Sequence, residues 1–104
     1  AKSVDALIGG SDGLVPSTGN LVPEIYSAML RAVKVGDISR AYELQRLSDL
    51  YGNLYQGGKT LGESLWALKV LMNQSNLCES IVMPPLLPLS EAEKEKLIQS
   101  FKEI

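Results

Sequence analysis

Two side chains of this sequence could act as nucleophiles, the Ser17 hydroxyl and the Cys78 thiol, and neither has a histidine to activate it. Such nucleophiles normally need an adjacent base, most often histidine, and the 104 residues contain none. Zinc sites combine cysteine with histidine, and the aspartates lack the spacing of a calcium loop. The residues therefore predict neither a self-sufficient hydrolase site nor a metal site.

Two glycine-containing stretches could in principle hold an anion. Thr18-Gly19-Asn20 lies between a short apolar run and a predicted helix, where backbone amides can bind negative charge. Ordinary capping of that helix explains the same residues and is the preferred interpretation. Gly57-Gly58-Lys59-Thr60 has the composition of a phosphate loop, but no strand leads into it. It is therefore expected to be a turn between helices.

Charge and hydropathy exclude several classes of partner. Ten basic and twelve acidic residues give a net charge of −2, whereas a nucleic-acid-binding surface would need a basic stripe. No apolar run reaches the ~20 residues that span a bilayer, and no secretory leader opens the chain. We therefore expect no nucleic-acid partner, no membrane association and a cytoplasmic location.

Most of the secondary structure predicted to position the candidate side chains is helical. One helix begins at Asn20 or Leu21, carries apolar residues at three-and-four spacing and stops at Gly36. Asp37 caps a second helix. Helices also follow the capping boxes at Thr60-Leu61-Gly62-Glu63 and Ser90-Glu91-Ala92-Glu93. The apolar stripe of the third helix is predicted from its spacing to comprise Leu61, Leu65, Leu68 and Met72, with Leu71 widening it.

Leu14-Val15 is predicted to be a very short strand that follows a glycine-rich turn and ends at Pro16. A lone strand cannot satisfy its backbone groups in water, and no second strand of comparable quality follows it. The chain also begins at Ala1 in the middle of a helical pattern. The sequence therefore predicts a piece of a larger protein.

The order of these elements resembles the dihydrodipicolinate synthase / N-acetylneuraminate lyase family over nearly the whole chain. Five stretches in register carry the resemblance: Gly10 to Asn20, Ala32 to Asp37, Ala41 to Leu47, Lys69 to Met72 and Pro84 to Ser90. It implies a (β/α)8 TIM barrel followed by a small helical domain. The chain is then expected to be mainly α, with the end of barrel helix 7, strand 8 and helix 8 in residues 1–36 and the C-terminal helical domain in residues 37–104.

The resemblance also implies the chemistry of a class I aldolase, lyase or synthase that uses no cofactor. In that family a lysine forms a Schiff base with pyruvate or another 2-oxo acid, a tyrosine relays the proton and a threonine pair holds the carboxylate. These groups belong to earlier strands, and no stretch here matches their motifs. No catalytic residue is therefore assigned, and none of the lysines is taken as the nucleophile: Lys2, Lys34, Lys59, Lys69 and the group from Lys94 to Lys102.

Ser17 and Thr18 fall where the family forms its barrel mouth, at the catalytic end of a strand. The resemblance therefore implies that they are substrate-binding residues. In the sialate-cleaving branch a serine at the position of Ser17 contacts the substrate, whereas Pro16 and Gly19 depart from that branch.

Three hypotheses of function follow. The first is the C-terminal fragment of a pyruvate-dependent lyase, inactive alone, whose exposed apolar surface favours self-association or recombination with the missing barrel portion. The second is a stand-alone helical interaction or oligomerisation module that binds a partner through the 21–35 helix, with Tyr26 and Met29. The third, a small enzyme acting through Ser17, is disfavoured because the base is missing.

Overall fold

A computed structural model describes residues 2–104 and shows helices joined by loops. Five α-helices and one short 3-10 helix occur in this range, and no β-strand does. In chain order they are α1 (Ser3–Ile8), the 3-10 helix (Ser17–Asn20), α2 (Pro23–Lys34), α3 (Ile38–Gln56), α4 (Leu61–Gln74) and α5 (Glu91–Lys102).

The helices group into two compact units, one reaching up to Leu50 and the other covering Tyr51–Ile104. Helix α3 runs from the first unit into the second, and each unit has buried apolar residues of its own. The division into residues 1–36 and 37–104 follows a different criterion, the resemblance to a family, and stays a prediction.

In the first unit, helix α2 shows how the local sequence sets the ends of an element. Pro23 occupies its first turn, where the missing N–H would have no helical partner in any case. Gly36, just past its end, has a φ of +79°, which glycine adopts without steric cost. Ile25 and Met29 of the predicted apolar stripe are buried. The helix begins later than predicted because the preceding residues form the 3-10 helix.

Three hydrogen bonds from α3 hold α1 and α2 in place in the first unit. Each joins residues more than 20 positions apart: the Val4 N–H donates to Gln45 Oε1 (2.8 Å), the Tyr42 hydroxyl donates to the Asp5 carboxylate, and the Tyr26 hydroxyl donates to Ser48 Oγ (3.1 Å). A helix as short as α1 is not stable on its own. These bonds, together with the burial of Val4, therefore determine where α1 lies.

The strand predicted at Leu14-Val15 is wrong, and so is the predicted fold class of the last strand and helix of a TIM barrel. The backbone at Leu14-Val15 has no regular secondary structure, and the Val15 side chain is fully exposed. Within residues 2–104, neither Leu14 nor Val15 takes part in a backbone hydrogen bond. A strand is held by bonds to a neighbouring strand, and the described residues provide none. All the regular structure of this range is helical.

In the second unit, α4 and α5 both begin with a side-chain cap. At α4, Thr60 Oγ1 accepts from the Glu63 N–H (3.3 Å) and Glu63 Oε2 accepts from the Thr60 N–H (2.8 Å), which confirms the predicted capping box. At α5, Ser90 Oγ accepts from the Glu93 N–H (3.2 Å), and only this bond of the second predicted box is present.

The predicted apolar stripe of α4 is confirmed at Leu68 and Leu71, which are buried, but is wrong in the first two turns of the helix. Leu61 and Leu65, expected in the core, are 78% and 43% exposed, whereas Trp66 and Val70 are buried. Helix α4 carries apolar residues around much of its circumference, so spacing alone cannot select the face that packs. On α5, Leu97 is buried.

The segment between α4 and α5 is held by side chains of α4. Asn73 Nδ2 donates to the Cys78 carbonyl (2.9 Å), and Lys69 Nζ donates to the Ile81 carbonyl (2.7 Å). Residues 83–89 contain a turn in which the Leu86 N–H donates to the Met83 carbonyl (3.0 Å).

We expect Thr60→Ala to lower the free energy of unfolding by about 1 kcal/mol, because an N-terminal amide of α4 loses its acceptor. Urea unfolding followed by circular dichroism measures the change. Thr60→Ser keeps the hydroxyl and is the matched control. Equal destabilisation by both variants would contradict a capping role for Oγ1.

The contact between Tyr42 and Asp5 predicts a pH dependence. Tyr42 has its pKa raised above the ordinary value of 10.0, mainly because its hydroxyl donates to Asp5, with desolvation and the charge of Asp5 adding to the effect. Folding therefore favours the neutral phenol. This contribution to stability is complete below pH 10 and is lost as the pH rises through the raised value.

We expect Asp5→Asn to lower the Tyr42 pKa towards 10.0, because both the charged acceptor and the nearby negative charge are removed. Tyrosine ring carbon shifts, followed by NMR across the alkaline range, give the pKa of each phenol separately. Tyr51, in the second unit, is the internal reference. An unchanged Tyr42 titration would show that Asp5 does not cause the shift.

Candidate functional site

The predicted substrate-binding residues, Ser17 and Thr18, open the 3-10 helix of the first unit. Pro16 enters it with extended backbone angles of φ −86° and ψ 133°. The Gly19 N–H donates to the Pro16 carbonyl (3.0 Å), which closes the turn. A Cβ at Gly19 would lie 3.1 Å from Pro16 Cγ, so a glycine suits this tight approach.

Thr18 attaches the turn to the helix that follows. Thr18 is only 6% exposed. Its carbonyl accepts hydrogen bonds from the N–H groups of Leu21 and Val22, both at 3.0 Å. One carbonyl can accept two donors because it has two lone pairs. The position of the turn is therefore fixed relative to the start of α2.

Ser17 differs from Thr18 in its exposure. It lies on the surface of the first unit, and its carbonyl accepts from Asn20 Nδ2 (3.0 Å). The structure thus brings two adjacent hydroxyl residues into one turn, with Ser17 open to solvent and Thr18 enclosed. Of these two hydroxyl residues, Ser17 is the one that a small molecule can reach.

The backbone amides near Ser17 are used within the turn. The N–H groups of Gly19, Leu21 and Val22 donate to carbonyls of Pro16 and Thr18. Asn20 directs its side-chain amide to the Ser17 carbonyl, and α2 begins at Pro23 without a side-chain cap. The capping interpretation of Thr18-Gly19-Asn20 does not match this geometry, because α2 has no side-chain cap, and the anion-binding interpretation stays a prediction. The residues instead stabilise their own turn.

The remaining candidates from the sequence lie apart from this turn. Cys78 is half-buried in the second unit, where its Sγ lies 3.9 Å from the Lys69 carbonyl. Within residues 2–104, no group of three or more histidine, cysteine, aspartate or glutamate residues could hold a metal ion. None of the helices described here combines the length and apolarity that crossing a membrane requires.

A cavity in the second unit was not foreseen from the sequence. It has a volume of about 100 Å³ and brings the Trp66 ring together with charged side chains, among them Lys59, Glu93 and Lys96. Trp66 lies within a helical pattern typical of a packing residue, and the charged start of α5 is typical of a solvated helix face. The available signal was the spacing of Glu93, Lys96 and Leu97, which puts all three on one face of a helix.

Comparison with known proteins gives a match over the whole described range. A family model described as the dihydrodipicolinate synthetase family matches residues 2–104. The 4-hydroxy-tetrahydrodipicolinate synthase of Neisseria meningitidis serogroup C is 31% identical over 94 residues, which cover 89% of this chain and 31% of that protein. The enzyme of the same name from Thermomicrobium roseum is 30% identical over 91 residues, covering 86% and 28%.

The chain spans less than a third of the length of these relatives. No solved structure gives a significant match.

We expect Thr18→Ala to lower the free energy of unfolding by about 1–3 kcal/mol, because a buried side chain is truncated at a turn that anchors α2. Ser17→Ala is the neighbouring control and should change it by less than about 0.5 kcal/mol, since Ser17 is exposed. Urea unfolding measures both. The opposite order of effects would contradict the division between an enclosed Thr18 and an accessible Ser17.

Proposed function

This chain belongs to the dihydrodipicolinate synthetase family, and we propose that it is part of a pyruvate-dependent class I aldolase, lyase or synthase. The single observation that carries the proposal is the family match through residues 2–104, combined with a span of 31% of a relative. The chain then supplies one portion of a longer enzyme. The chain is linked to synthases and lyases by its membership of this family.

The proposed chemistry proceeds through a Schiff base. A lysine amine attacks the ketone carbon of a 2-oxo acid, water leaves, and the protonated imine withdraws electrons from the neighbouring carbon–carbon bond. The lysine must be neutral to attack, which requires a desolvated pocket or a neighbouring cation. A lysine that acts as a hydrogen-bond donor to backbone carbonyls does not meet this requirement.

The lysines of this chain support the proposal that the Schiff-base residue lies outside it. Lys69 Nζ donates to the Ile81 carbonyl (2.7 Å), and Lys59 Nζ donates to the carbonyls of Leu54 (3.3 Å) and Gly57 (3.4 Å). The others are largely at the surface: Lys2, Lys34, Lys94, Lys96 and Lys102. These amines are solvated or bonded to backbone carbonyls, and the chain alone is inactive under this proposal.

Ser17 and Thr18 are the proposed contribution of this chain to substrate binding. The exposed Ser17 can present a hydroxyl to the substrate, and a hydroxyl both donates and accepts hydrogen bonds. Thr18 holds the turn, since its carbonyl accepts two amides at the start of α2. The substrate class is a small 2-oxo acid.

The structure does not favour a partner-binding module that uses the 21–35 helix. Met29, which was to form the contact surface, is 0% exposed within its unit, and Tyr26 is half-buried with its hydroxyl bonded to Ser48. A surface that is already covered cannot bind a partner without unfolding. Self-association through other surfaces stays a prediction.

The proposal is tested by reductive trapping with pyruvate and sodium borohydride, followed by mass spectrometry. We expect this chain to remain unlabelled and the full-length Neisseria meningitidis relative to be labelled under the same conditions. A labelled lysine in this chain, located by peptide mapping, would show that it carries its own nucleophile.

A second measurement separates an inactive portion of an enzyme from a protein unrelated to catalysis. The intact mass of the gene product in its own cells should correspond to a polypeptide roughly three times this length, since the chain spans 31% of a relative. That polypeptide should be labelled by pyruvate and borohydride. A longer product that stays unlabelled would sink the proposed chemistry.

A further inference from the structure

The cavity of the second unit has an apolar wall. Leu54 of α3, Trp66 of α4 and Leu97 of α5 line it, and Trp66 and Leu97 are 3% and 5% exposed. The volume of about 100 Å³ is well below the roughly 300–1,000 Å³ of sites for drug-sized ligands. The cavity therefore has room for a molecule of only a few heavy atoms.

Charged side chains form the other side of the cavity. Glu93, Lys96 and Leu97 lie three and four residues apart on α5, so the two charges come from the same helix face as the apolar wall. Lys59 approaches from the loop after α3, where Gly58 has a φ of +68° that allows the chain to turn.

The same three charged residues, joined by Glu63, also line a wider polar depression of about 400 Å³. Lys59, Glu93 and Lys96 thus border both spaces, with the apolar wall on one side and the polar depression on the other. An apolar wall next to charged side chains suits an amphipathic molecule, which would place its charged end at the lysines and its apolar end against Trp66.

The charges near the cavity are incompletely paired. Within residues 2–104, neither Lys96 nor Glu93 forms an ion pair within 4.0 Å. Lys59 Nζ makes two long bonds to carbonyls, at 3.3 and 3.4 Å, and an ammonium has three N–H groups to donate. Two lysines and one glutamate leave one positive charge in excess, so a monovalent anion would neutralise this cavity.

We propose that this cavity binds a small organic carboxylate with a short apolar tail. The carboxylate accepts hydrogen bonds from Lys59 and Lys96, and the tail lies against Trp66. Charge-assisted bonds of this kind are stronger than those between neutral groups. The site is independent of the pyruvate chemistry proposed above, because none of its residues is assigned a role in that chemistry.

Trp66 is the single tryptophan of the chain, so its fluorescence reports on this cavity directly. The test titrates the protein with butyrate, butyramide and butylammonium, which are similar in size and differ in charge. We expect a saturable change in Trp66 fluorescence with butyrate, and responses at least roughly tenfold weaker with the neutral and cationic probes. Added salt should weaken the butyrate response by screening.

Three substitutions on α5 test which charges act. Lys96→Gln should weaken butyrate binding roughly tenfold, by loss of a charge-assisted hydrogen bond. Glu93→Gln should strengthen it roughly threefold, because a like charge near the carboxylate is removed. Lys94→Gln is the control, since Lys94 is on the same helix but does not line the cavity. Circular dichroism verifies that each variant keeps its helices.

Several results would overturn the proposal. No saturable response to butyrate would show that the cavity takes no carboxylate. Equal responses to butyrate and butyramide would show that apolar contact alone accounts for binding. Equal effects of Lys96→Gln and Lys94→Gln would show that the general charge of the protein, and not this cavity, attracts the anion.

Discussion

Helices of 6 to 19 residues are marginal in water without tertiary contacts, and the rest of this structure depends on how those contacts are made. In the first unit, polar side chains of α3 bind α1 and α2 across long stretches of sequence, as in the bond from the Val4 N–H to Gln45. In the second unit, α4 and α5 pack around buried apolar residues such as Trp66 and Leu97. The turn that carries Ser17 takes its position from the burial of Thr18 in the same way.

Family membership and local geometry contribute different parts of the functional argument. The family match covers the chain from residue 2 to residue 104 and implies synthase or lyase chemistry in the longer relatives. The lysines here are at the surface or donate to backbone carbonyls, as Lys69 does to Ile81. An amine held at a backbone carbonyl in this way is not placed to attack a ketone. Under the function proposed above, this chain contributes positioning and substrate contact, at Ser17.

Local signals predicted local structure well, and failed where the outcome depended on distant residues. The capping box of Thr60 and Glu63 was found from the sequence because both bonds lie within four residues. The strand at Leu14-Val15 was wrong because a strand exists only through a partner, and residues 2–104 provide none. The predicted face of α4 was right at Leu71 and wrong at Leu61, because apolar residues surround much of the helix. The neighbouring elements decide that Trp66 is buried and Leu61 is not.

By itself, the sequence determined the caps of α4 and α5, the lack of a histidine among these 104 residues and the resemblance that led to the family. These depend on residue types and on spacings of a few positions. Only the tertiary structure decided that Tyr42 binds Asp5, 37 positions away. It alone also placed Lys59 beside Lys96 around Trp66. The physical reason is that burial and long-range hydrogen bonds depend on how whole helices pack, and packing brings together residues that no local pattern connects.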